Sequence, residues 1–241
     1  MRKKKFYLKK IGQRGNIAVW QVDGGIIRAK VEKEFTNFGQ HYRFPFIPEY
    51  EFWLDKEADP DERKFFIDHL LAEWRLMRNG RSYNYAIKEA DKAEKAERKK
   101  AGDATKAINK QGKPDIKKIH KKFINQAGEL LIWLIDGRLV RSIFDVDFTE
   151  GGHGLVYDFV PKNEIWIDDD LSAKERPFVI LHELYERSRM ARGLAYNQAH
   201  KKASRLEWEC RHNEKRLAGN LAKLGFYPAP CPNTLRSLPQ G

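Results

Sequence analysis

Apolar and polar positions along residues 129–218 predict a small set of alternating elements. Glu164-Ile165-Trp166-Ile167-Asp168 alternates polar and apolar side chains, the pattern of a strand with one buried face. Trp133-Leu134-Ile135 and Leu139-Val140-Arg141 flank Asp136-Gly137, which predicts a hairpin whose tight turn needs a positive φ. A further strand is expected over Leu155–Val160, ended by Pro161. Ser172 and Glu175 have the spacing of a capping box, so a helix opens there, with a restart allowed at Pro177. That helix should reach about Arg192, with Gly193 as its C-cap, and a second should cover roughly Asn197 to Ala218. Earlier in the chain, Asp59-Pro60-Asp61-Glu62 opens a helix that Gly80 stops, and another begins near Asn84.

The two halves share more than a plan. At an offset of 113 and without a gap, residues 20–94 match residues 133–207 at 27 of 75 positions. Chance would give roughly 4 or 5. The shared residues include Trp20/Trp133, Asp23/Asp136, Gly24/Gly137, Arg28/Arg141, Trp53/Trp166 and Asp55/Asp168. The fold expected is therefore α+β: a tandem duplication of a module of about 80 residues, each a small antiparallel sheet followed by two helices. The corresponding boundaries are a basic N-terminal tail at 1–18, a degenerate copy at 19–98 and a basic linker at 99–128. The copy that carries the chemistry spans 129–218, and an irregular tail 219–241.

Composition narrows the functional classes. The 241 residues are 41% apolar, too much for a disordered chain, and no run of apolar residues is long enough to span a bilayer. The basic start, Arg2-Lys3-Lys4-Lys5, is followed by no apolar stretch and does not read as a secretory signal. Two cysteines, Cys210 and Cys231, make no disulfide scaffold and suit a reducing compartment. The net charge of +12 is concentrated: residues 1–10 hold six basic side chains and no acidic one, and residues 88–122 hold thirteen basic against six acidic. Both are solvated surface or weak, salt-sensitive contacts for nucleic acid.

Candidate chemistry lies in the second copy. His182-Glu183-Leu184-Tyr185-Glu186 places His182 and Glu186 four residues apart on one helix face, where both can meet a metal ion, with Glu183 beside them as general base. This is the H-E-x-x-H arrangement with glutamate as the second ligand. On the next helix His200, Ala203 and Glu207 share a face, and either His200 or Glu207 can be the third ligand. Small residues at Ala199 and Ala203 let that face approach closely. The first copy keeps His69, Glu73 and Glu94 but has Leu70 for Glu183, Ile87 for His200 and Gln40 for His153, so it should be inert as a hydrolase. A rival reading takes the shared His/Glu/Glu trio as the ligand set, or as a packing network. His153, between glycines, is either near the site or in a plain bend. Trp53 and Trp166 read as core, and the cysteines have no role.

The run from Phe148-Thr149-Glu150-Gly151-Gly152-His153 through Glu164–Asp168 to His182-Glu183-Leu184-Tyr185-Glu186, Met190, Gly193, Tyr196, Ala199-His200 and Glu207 resembles the uncharacterised zincin-like proteins of bacteriophage genomes. The resemblance implies a zinc metallopeptidase fold, with His182 and Glu186 as ligands and Glu183 as base. It also implies that Glu164–Asp168 is a sheet edge able to pair with an extended peptide or protein substrate. Tyr185 and Glu186 depart from the family's pattern. The expectation is a zinc-dependent hydrolase in the host cytoplasm, active in the second copy only, with Tyr196 or Tyr185 as an oxyanion donor. The alternative is a virion-associated structural or nucleic-acid-binding protein that keeps the fold without the reaction, touching nucleic acid through residues 1–10 and 88–122. Neither reading involves a membrane.

Overall fold

The computed structural model describes residues 5–227. It is an α+β structure with two four-stranded mixed sheets. In the first half, β1 (Tyr7–Arg14) and β2 (Ile17–Val22) form an antiparallel hairpin, followed by a short helix α1 (Gly24–Lys30), β3 (Phe38–Gly39) and β4 (Glu51–Asp55). Strand β4 pairs in parallel with β2 and antiparallel with β3, giving the order β1-β2-β4-β3. Two long helices, α2 (Arg63–Arg78) and α3 (Tyr83–Ala101), complete this half. A 3-10 turn at Asp103–Ala107 and α4 (Ile116–Ile119) lead into the second. There β5 (His120–Ala127), β6 (Leu130–Ile135), α5 (Gly137–Ile143), β7 (Gly151–His153) and β8 (Glu164–Asp168) precede α6 (Arg176–Ala191) and α7 (Tyr196–His212). Their strand order is β5-β6-β8-β7, with the same mixture of parallel and antiparallel pairs.

The expected hairpin at Asp136-Gly137 does not form, and the sheets are mixed rather than antiparallel. Asp136 instead caps α5, its carboxylate accepting the Leu139 N–H at 3.0 Å. Gly137 is required by contact, not by its φ: a Cβ there would overlap the Asp168 carboxylate. The hairpin turn lies earlier, at Gly128, which has φ 62°. Gly137→Ala is accordingly expected to destabilise the fold by about 1–3 kcal/mol, read as a lower urea midpoint. An unchanged midpoint would show that Asp168 moves aside freely.

Three further expectations change. Leu155–Val160 is a series of turns, with the Val156 and Tyr157 N–H groups both donating to the His153 carbonyl. Strand β8 is buried on both faces and is not an edge, because it lies between β6 and β7. Its Ile165 and Ile167 pack with Leu181 of α6, while Trp166 packs with Val140 and Phe148 on the opposite side. The single helix expected to reach Ala218 breaks at Asn213 and resumes as α8 (Lys215–Lys223).

The segments read as tail and linker contain strands: β1 falls within 1–18 and β5 within 99–128. Each is an outer strand with an exposed, lysine-rich run, so its pairing leaves little apolar signature. Residues 1–4 and 228–241, including most of the expected irregular tail, lie outside the described residues. Several cations of the middle segment are neutralised locally, as in Lys92–Glu89 at 2.6 Å, Lys100–Glu97 at 2.7 Å and Lys106–Asp103 at 2.7 Å. Among the described residues no helix is long and apolar enough to cross a membrane.

Buried charges join the halves reciprocally. Arg28 of α1 pairs with Asp55 at 2.8 Å in its own half and reaches Glu175, just before α6, at 3.1 Å. Arg141 of α5 pairs with Asp168 in its own half and crosses to Glu62, just before α2. Arg98 meets the same Glu62, and Arg211 meets Glu175 at 2.7 Å. Each crossing carboxylate thus faces two arginines, one from each half.

Candidate metal centre

Helix α6 carries His182, Glu183 and Glu186, and α7 carries His200. Gly193, with φ 89°, ends the first helix and turns the chain so that the second lies back along it. Ala199 and Ala203 are wholly buried in that contact, which lets the helices approach as their small size predicts. The result brings His182 Nε2, Glu186 Oε2 and His200 Nδ1 together. Their separations are 3.2 Å between the two imidazoles, 2.8 Å from His200 to Glu186 and 3.5 Å from His182 to Glu186.

Each of these three side chains is held from behind. His182 Nδ1 donates to Glu207 Oε2 at 2.9 Å, and Glu207 in turn accepts from Arg211 Nε at 2.8 Å. His200 Nε2 donates to Glu34 Oε2 at 3.1 Å. Glu186 Oε1, the oxygen turned away from the two imidazoles, lies 3.2 Å from Nε2 of the fully buried His153. Glu207 therefore does not join the converging atoms. It contacts the opposite ring nitrogen of His182, so of the two candidates for third ligand the geometry places His200 at the cluster.

This donor set fits a divalent cation. With Nδ1–H of His182 and Nε2–H of His200 directed at carboxylates, which only accept, the remaining ring nitrogens offer lone pairs to the same small volume as Glu186 Oε2. Protonating both instead would aim two N–H groups at each other across 3.2 Å. Four ligands about 2.0–2.1 Å from a tetrahedral zinc lie roughly 3.3 Å apart, close to what the three contacts span. A histidine whose second nitrogen rests on a carboxylate is the usual support of a metal ligand.

Electrostatics follow the packing. Burial opposes ionisation of Glu186, yet contacts from His153, His182 and His200 hold its carboxyl well below the ordinary range. Burial also disfavours a charged His182, but Glu186 and Glu207 outweigh it and raise the imidazole well above its usual value. His200 is raised to about 9 by Glu186 and Glu34, so a cation entering this cluster would displace protons from the ring nitrogens that face it. Glu183 differs: burial pushes its carboxyl up, only partly offset by His153 and His182. It lines a cavity of about 140 Å³ with His182, Glu186 and His200.

Further residues line the cavity. Tyr157 and Tyr196 border the cavity, whereas Tyr185 accepts from Arg189 at 2.7 Å and is not among the lining residues. Glu150 sits at φ 60°, a left-handed conformation uncommon outside glycine, with its carboxylate 3.0 Å from Arg28 and its pKa raised to about 7 by burial. Gly151 lets β7 pass close to α6, since a Cβ there would stand 3.3 Å from Glu183 Cγ. The strand bordering the cavity is thus β7, not Glu164–Asp168. Trp53 and Trp166 are core, and Cys210 is buried, while Cys231 lies outside the described residues.

The equivalent place in the first half lacks convergence. His69 Nδ1 lies 2.9 Å from Glu94, and Glu73 accepts from the Gln40 amide, but Leu70 and Ile87 line the adjoining cavity. Among the described residues, no cluster of three ligand-type groups includes His69. Searches of protein-family models, curated proteins and solved structures found no match to this chain.

Proposed function

We propose that this chain is a zinc-dependent hydrolase of the zincin-like metallopeptidase type, active in its second half only. The observation that carries the reading is the convergence of His182, Glu186 and His200 on one point, each backed by a separate polar partner. His182, Glu186 and His200 would hold a zinc ion, which when bound would supply Lewis acidity toward a carbonyl and toward a water. Glu183 takes the proton from the attacking water and returns it to the leaving nitrogen; its raised pKa suits a group that must hold a proton briefly. Tyr196, bordering the cavity, is the better placed of the two phenols considered as oxyanion donors. We also propose that the two halves descend from one duplicated module, supported by the 27 shared positions and the common strand order. Substitution of leucine for the base and isoleucine for a ligand then left the first copy without chemistry.

Elemental analysis of the purified protein tests the metal site. About one zinc per chain is expected, lost in His182→Ala. Two per chain would point to binding in the first half as well. None, after preparation without chelator and with zinc supplied, would overturn the hydrolase reading.

A further inference from the structure

We propose that the catalytically silent first half is a working part of the metal site, through Glu34, which acts as a positioning residue for His200. The inference rests on the reading of His182, Glu186 and His200 as zinc ligands.

Glu34 belongs to the loop between α1 and β3, and lies 166 residues from the histidine it touches. Its Oε2 accepts from His200 Nε2 at 3.1 Å, while Oε1 is anchored by Lys33 at 2.7 Å. The contact selects the tautomer of His200 with hydrogen on Nε2, which leaves the Nδ1 lone pair for the metal. It also restrains the ring. His200 is the least enclosed of the three proposed ligands: its side chain is 32% exposed, against 12% for His182 and 4% for Glu186. His182 has Glu207 from its own half to orient it; the second nitrogen of His200 meets Glu34 of the first half at 3.1 Å, with Ser204 Oγ of its own half farther off at 3.5 Å.

The first half is not free to drift from this position. The same half donates Arg28 to Glu175, which also holds Arg211, and Arg211 holds Glu207 behind His182. Both metal-facing imidazoles are therefore tied, directly or through a buried chain of ion pairs, to residues of the first half. Lys33, Glu34 and Thr36 also wall the cavity. Loss of a base and a ligand from the first copy is compatible with its retention, because what it supplies is a carboxylate and a wall.

The test compares wild type with Glu34→Ala and Glu34→Gln, and uses His200→Ala as the reference. Zinc affinity is measured by competition with a chromophoric chelator, and ligand geometry by the visible absorption of the cobalt(II)-substituted protein. Glu34→Ala is expected to weaken zinc roughly 10–100-fold and to change the cobalt spectrum toward that of His200→Ala. Glu34→Gln, still able to accept from Nε2, should lose less. The double variant Glu34→Ala/His200→Ala should bind no more weakly than His200→Ala alone. The thermal unfolding of all variants identifies any that are merely unfolded. If wild type binds zinc and Glu34→Ala matches it in affinity and spectrum, the role of Glu34 is overturned while the metal site stands. If wild type takes up neither metal, the metal site falls, and this inference with it.

Discussion

Replacing Glu183 by glutamine is expected to lower turnover by about 10²–10⁴-fold while leaving about one zinc per chain. The amide keeps the size and polarity of the side chain but cannot accept a proton. Glu183 is not one of the three converging ligand-type groups at His182, so its loss should not release the metal. With no substrate established, a peptide library cleaved by wild type provides the assay, and zinc content is measured on the same preparations. Activity equal to wild type would remove Glu183 as the base. Loss of zinc together with activity would mean that Glu183 is a ligand, a role its proximity to His153 and Glu186 makes the specific competitor.

Glu62→Gln is expected to cost about 3–5 kcal/mol of stability, the largest effect of any single change away from the site. Glu62 is fully buried and faces Arg98 of its own half and Arg141 of the other. Neutralising it strands two buried guanidinium groups, although Asp168, Asp170 and Glu94 retain part of the compensation. Burial opposes the charge of Glu62, but the two arginines win and hold its carboxyl below the ordinary 4.5. A depressed folded-state pKa contributes stability that is full above the unfolded value and lost as pH falls through the folded one. Wild type and Glu62→Gln should therefore differ most at neutral pH and converge in acid. Urea midpoints across that range check this, and a constant difference down to low pH would place the cost elsewhere.

Much of the site is local and hence legible without coordinates. A helix fixes the i to i+4 relation, so His182 and Glu186 share a face whatever surrounds them, and Gly193 with Ala199 and Ala203 marks where the second helix turns back and docks. The choice between His200 and Glu207 was not legible. Both lie on one face of α7, and only the rotation of that helix against α6 puts one at the cluster and the other behind His182. The Asp-Gly step between β6 and α5 is a similar case. Asp136-Gly137 is locally a good turn, but the carboxylate of Asp168 occupies the space of a Cβ at Gly137, and a helix begins where a hairpin was expected.

The chain's periodicity and self-similarity by themselves determined the α+β class, the paired long helices of each half and a histidine–glutamate helix in the second, because these depend on contacts within a few residues. The strand order, the placement of β7 beside the cavity and the arrival of Glu34 at His200 were decided only by tertiary structure. They depend on contacts between segments far apart in the chain, such as the parallel pairing of β6 with β8, the Arg141–Glu62 pair 79 residues apart and the Glu34–His200 contact 166 residues apart, and spacing along a sequence carries no record of such contacts.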